Sequence, residues 1–89
     1  MRLVPTVVSM EFEPDVPRWR QVYGVIARRI RNGVYASGAR VPSVLQIQAE
    51  FGIATSTGQK VLRQLRADRL IYTEPGLGSF VAKQLPPEA

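Results

Sequence analysis

The 89-residue chain contains neither cysteine nor histidine. Disulfides are therefore excluded, and so is any metal site built on Cys or His ligands. A histidine general base is excluded as well. Carboxylates do not fill that gap: Glu11, Glu13, Asp15 and Glu50 show no paired arrangement on a shared element. An enzyme is not expected, and no cofactor is called for. Long apolar runs are missing too. The longest near the N-terminus, Leu3 to Val8, is broken by Pro5. That is too short for a signal peptide or a membrane span. The expectation is a soluble, cytoplasmic chain of one domain with a small core.

Acid is also missing from a long internal stretch. Between Val16 and Ala49 there are six arginines and no Asp or Glu. Lys60, Arg63, Arg66 and Arg69 follow against Asp68 alone, while residues 1–15 carry Arg2 against Glu11, Glu13 and Asp15. The net charge is +5. A basic body behind a mildly acidic front suits a polyanionic partner, although a solubilising surface would look the same on charge alone.

What is present is a sequence of short, well-punctuated elements. Thr6, Val8, Met10 and Phe12 alternate as one face of a strand. Asp15 and Pro17 then open a helix, with Asp15 as the expected acceptor for its first amides. Trp19, Val22 or Tyr23, Ile26 and Ile30 give that helix one apolar stripe, and Asn32-Gly33 stops it. Arg28, Arg29 and Arg31 lie off the stripe and read as a solvated face. Val34 to Val41 reads as a loop. Ser43 is the expected N-cap of a second helix, residues 43–51, and Gly52 provides the positive φ of a tight turn. A third helix follows over 55–68, with Gly58, Val61, Leu62 and Leu65 inward. Residues 70–74 and 79–83 read as strands around the turn Glu74-Pro75-Gly76-Leu77-Gly78. The expected core is Trp19, Ile26, Ile30, Phe51, Ile53, Leu62, Leu65 and Phe80.

A short helix, a glycine turn, a longer helix with a polar outer face and then a hairpin predict a winged helix-turn-helix. The fold class is mainly α with a small antiparallel sheet. The expected layout is an N-terminal extension over 1–14, the winged domain over 15–83 and a flexible tail over 84–89.

The chain resembles the DNA-binding domain of GntR-type bacterial transcriptional regulators. Pro17-Arg18-Trp19-Arg20-Gln21-Val22 is similar to that family's helix opening. Gly33-Val34-Tyr35 and Gly38-Ala39-Arg40-Val41-Pro42-Ser43 resemble its Gly-x-Tyr and Gly-x-Arg-Leu-Pro-Ser elements. Phe51-Gly52-Ile53, Leu62-Arg63-Gln64-Leu65 and Gly76-Leu77-Gly78-Ser79-Phe80-Val81 match its turn, recognition helix and wing. There are departures. The family's Glu-Arg-Glu after the serine is Val44-Leu45-Gln46 here, so one phosphate contact is lost at Leu45. Ala54, Thr55 and Gln59 stand where Ser and two Arg are usual. Gln48 replaces a small residue, which predicts local repacking. Sequence preference is therefore expected to differ from that of common members.

The resemblance implies a sequence-specific regulator of double-stranded DNA, most simply a repressor. Helix 55–68 would enter the major groove, and the wing, 74–79, would follow the backbone or minor groove. Thr55, Ser56 and Thr57 offer hydroxyls to phosphates or bases, and at least one is expected to cap its helix. The Gln59 amide can pair with an adenine edge. Arg40, Lys60 and Arg63 are phosphate candidates, joined by Ser43 at the second helix. Gly76 and Gly78 let the wing backbone approach closely. A homodimer on a palindromic site would raise the affinity of one weak module, and the N-terminal strand is expected to join the wing sheet. No small-molecule effector and no membrane partner are expected. Two other readings stay open: a winged helix used for protein–protein contact, and a plasmid-maintenance or architectural DNA binder.

Overall fold

The computed structural model describes residues 12–87. The expected strand over 6–12 lies almost wholly outside the described residues. Helix α1 spans Arg18–Arg31, α2 Val44–Phe51 and α3 Thr55–Ala67, followed by strands β1, Ile71–Glu74, and β2, Gly78–Val81. The helices and the hairpin stand where the sequence places them.

The start of α1 is held differently from the expectation. Pro17 occupies the N-cap, and no side chain caps the helix. Asp15 stands two residues before that cap and does not bond the helix amides. Gln21 instead folds back over the entering chain. Its Nε2 donates to the carbonyls of Val16 at 2.8 Å and Glu13 at 3.1 Å, and its Oε1 accepts from the Glu13 amide at 3.0 Å. The apolar stripe buries Val22, Ile26 and Ile30. The helix closes on Gly33, whose φ is 79°. The Val34 amide reaches back to the Arg29 carbonyl at 2.9 Å, which satisfies a terminal acceptor.

Ser43 caps α2 as expected. Its hydroxyl accepts from the Gln46 amide at 3.2 Å, and Gln46 Oε1 accepts from the Ser43 amide at 2.8 Å. This reciprocal pair satisfies two otherwise orphaned donors. At α3 the capping expectation fails. Ala54 holds the N-cap with no side-chain bond, which puts Thr55, Ser56 and Thr57 inside the first turn.

The two strands pair antiparallel, with Ile71 opposite Val81 and Thr73 opposite Ser79. A third segment joins them from the stretch expected to be loop. The Val81 amide donates to the Ala39 carbonyl at 2.8 Å, and the Val41 amide to the Ser79 carbonyl at 2.9 Å. Arg40 bridges Phe80 in antiparallel sense. Residues 39–41 thus occupy the outer edge of β2, an edge that would otherwise show unpaired backbone groups.

The core packs α1 and α2 against α3 and closes on the inner face of the hairpin. Val22, Ile26, Ile47, Val61, Leu65 and Val81 are fully buried at its centre, with Phe51, Ile53 and Leu62 around them. Two expected core residues sit elsewhere. Phe80 is only half-buried and stacks on Tyr72 with ring centroids 5.7 Å apart. The strand alternation turns Val81 inward opposite Ile71, so Phe80 must face the other way. Trp19 is half-buried at the core margin, edge-on to Tyr23 at 6.4 Å. The expected tail at 84–89 is described as far as Pro87. Within it Leu85 packs on the core, and the Pro86 carbonyl accepts from Arg31 Nη1 at 2.7 Å.

Candidate nucleic-acid interface

The exposed side of α3 is polar and basic. Thr55, Gln59 and Arg63 succeed one another every four residues and are all exposed, so they form a single row along the helix. Ser56 and Lys60 make a neighbouring exposed row, and Thr57 is half-buried. The three hydroxyls do not cap the helix and remain at its N-terminal end. Gly58 lies on the buried side, where an added Cβ would meet Val44 Cγ1 at 3.4 Å. A Cβ at that position would be in ordinary contact with α2.

Lys60 is not simply extended into solvent. Its Nζ lies 4.8 Å from the centroid of the Trp19 ring. The Arg20 guanidinium approaches the same ring at 5.9 Å. Lys60 therefore ties the outer face of α3 to the start of α1, with its charge beside the row Thr55–Gln59–Arg63.

Arg40, Ser43 and Gly78 meet in one cleft between α2, α3 and the wing. Pro42, Val44, Gln46, Leu62 and Ser79 are among its other walls. Arg40 does more here than present a charge. Its Nη2 donates to the Leu77 carbonyl at the wing tip. The guanidinium lies flat against Gly78: a Cβ there would meet Arg40 Nε at 2.8 Å. Gly78 also has a φ of 122°, which disfavours any side chain. The wing tip is thus pinned to the body through a residue of the crossing segment.

A second tie was not foreseen from the sequence. Arg66 Nε bonds Thr73 Oγ1 at 3.0 Å, and Thr73 Oγ1 lies 3.0 Å from Ser79 Oγ. This chain links the last turn of α3 to both wing strands. The legible signal was the facing of two hydroxyls across the hairpin, which offers a polar end to a long donor.

Of the arginines at the end of α1, Arg28 is exposed as expected, whereas Arg29 and Arg31 are half-buried and engaged. Arg29 forms an ion pair with Glu50 at 2.6 Å, donates to Tyr35 Oη at 2.9 Å and lies 5.6 Å from the Phe51 ring centroid. It brackets α1 to α2. The hydrogen bond to Glu50 raises its already high pKa further, so it is a permanent cation. Gln48, expected to cause repacking, is half-buried, and its Oε1 is buried without a hydrogen-bond partner.

Residues 19–81 match the bacterial regulatory proteins of the gntR family. The chain belongs to the GntR family. It is 34% identical over 80 residues to the histidine utilization repressor of Pseudomonas putida, covering 90% of this chain and 32% of that protein. It is 36% identical over 67 residues to an uncharacterized HTH-type transcriptional regulator of Escherichia coli, covering 75% and 14%. The fold superposes on the DNA-binding domain of AraR, solved in complex with an operator. There the TM-score is 0.77 at 25% identity, covering 85% of this chain and 96% of that one. This GntR-family chain spans about a third or less of the length of those two curated relatives. Among the described residues no helix is long and apolar enough to cross a membrane.

Proposed function

We propose that this chain is a sequence-specific binder of double-stranded DNA that acts on transcription in the cytoplasm, most simply as a repressor occluding a promoter. The observation that carries this reading is the uncapped, exposed row Thr55–Gln59–Arg63 on α3, flanked by a cleft in which Arg40, Ser43 and Gly78 converge. In this reading α3 lies in the major groove. Gln59 reads a base edge, the hydroxyls of Thr55, Ser56 and Thr57 bond phosphate or base, and Arg63 contacts phosphate. Lys60 contributes charge from its seat on Trp19. In this reading a phosphate sits at the cleft that Arg40 and Ser43 both line. The wing then lies along the adjacent backbone or minor groove, with Gly76 and Gly78 allowing close approach.

The family membership and the operator-bound AraR domain support this reading, and the basic balance of the chain agrees with it. Two copies on a palindrome would turn a modest single contact into useful affinity. The test is fluorescence anisotropy of labelled duplex DNA across a salt series. Affinity should fall steeply with salt, because phosphate contacts release counterions. A selected duplex should bind at least about a thousandfold tighter than a scrambled one. Salt-independent binding, or no preference among sequences, would rule out the proposal.

A further inference from the structure

The wing carries no cation of its own. Residues 70–82 include no Lys or Arg and one acid, Glu74. Backbone tracking along DNA relies on Lys and Arg to neutralise phosphate, and here the charge at the tip is lent by Arg40 from outside the hairpin, which leaves the turn itself better suited to the minor groove. Its tip instead displays Leu77, which is 61% exposed.

The backbone of Leu77 is held from both sides. Its amide donates to the Glu74 carbonyl at 2.9 Å, and its carbonyl accepts from Arg40. Pro75 and Gly76, the latter with φ 79°, fill the centre of the turn, and Gly78 follows. Both backbone groups of Leu77 are thus satisfied within the protein. The flanking glycines add no bulk beside it. An apolar side chain exposed beside the apex of a narrow turn, just after Pro75 and Gly76, has the shape of a wedge. Apolar wedges of this kind enter the minor groove, unstack a base step and bend the duplex.

We propose that Leu77 is a specificity-determining residue that enters the minor groove beside the α3 contact and kinks the DNA there. This deepens the DNA-binding reading and rests on it. The preferred site is one whose flank contains an easily unstacked pyrimidine–purine step, since the cost of the kink depends on the sequence deformed. Arg40 is the positioning residue, because its bond to the Leu77 carbonyl fixes the wedge against the body.

The probe is the duplex that the wild-type chain enriches from a pool with a randomised centre, carrying a donor and an acceptor dye at its ends. Wild type should shorten the end-to-end distance, in keeping with a bend of roughly 20–90°. Leu77→Ala should bind this duplex about tenfold more weakly and leave it nearly straight. Its affinity for a scrambled duplex and its salt dependence should be unchanged, as no charge is removed. Leu77→Met should restore both binding and bend. Leu77→Ala that binds and bends like wild type would overturn the proposal, as would wild type bound to a straight duplex. Failure of wild type to enrich any duplex would overturn the DNA-binding reading itself, a result distinct from binding without a bend.

Discussion

At the scale of single residues, the side chains that matter most are those with two duties. Phe51 ends α2, fills the core beside Ile53 and lies under the Arg29 guanidinium. Phe51→Ala should cost about 3–5 kcal/mol through lost burial and a residual cavity, read as a shift in the urea midpoint. A loss below about 1 kcal/mol would mean that the neighbours collapse into the space. Tyr23 donates to the Asp68 carboxylate across the α1–α3 contact. Burial, reinforced by that hydrogen bond, pushes its phenol from 10.0 up to about 12. The fold thus holds the neutral phenol more tightly than the unfolded chain does. That contribution is present in full below pH 10 and is lost as pH rises towards 12. Urea titrations through this window should show Tyr23→Phe losing less stability than wild type. Equal losses would remove Tyr23 from the account.

Elements fare differently according to how local their causes are. The end of α3 is a strained version of the end of α1. Both close with the amide two residues past the cap bonded to the third-last carbonyl: Val34 to Arg29 at 2.9 Å and Leu70 to Leu65 at 3.0 Å. Gly33 occupies the left-handed position in the first, but Arg69 occupies it in the second, with a φ of 63°. An L-residue with a Cβ costs about 1–2 kcal/mol there. Arg69→Gly should therefore raise stability by about 0.5–1 kcal/mol after its own loss of chain entropy, measured by thermal melting. A lowered Tm would show that the arginine has a compensating contact. The ends of the helices and the wing turn were legible because Ser43, Gly33, Gly52 and Pro75-Gly76 act within a few residues of themselves. The pairing of Ala39–Val41 with β2 was not legible, since three residues carry no period and the partner lies about forty positions away. The inward face of β2 was ambiguous for a related reason. Ser79-Phe80-Val81 alternates either way, and only the register against Ile71 decides it. In the candidate site, the row Thr55–Gln59–Arg63 follows from helical spacing. The ties from Arg40 to Leu77 and from Arg66 to Thr73 are tertiary, and a list of basic residues does not reveal them.

For the molecule as a whole, the DNA-binding reading separates base contacts from charge. Gln59→Ala should change which sequence is preferred while non-specific affinity stays nearly intact. Arg63→Ala should weaken all sequences alike and flatten the salt dependence by about one unit of slope. Competition of each variant between the selected duplex and a scrambled one, across a salt series, measures both effects. Matching effects from the two would refute the division of roles. The wing raises a question of time as well as position. A hairpin of two four-residue strands can form within microseconds on its own, but the segment Ala39–Val41 on its edge must arrive from before α2. Ala39 and Val81 are far apart along the chain, so closing this edge carries a loop-closure cost that the hairpin alone does not. The amides of Val41 and Val81, bonded across that edge at 2.9 and 2.8 Å, are then clocks for docking of the wing. In native-state hydrogen exchange they should run faster than the Val61 and Leu65 amides inside α3. Docking of the wing would then be the last step of folding, and the segment that completes the edge also carries Arg40 to its bond with the Leu77 carbonyl.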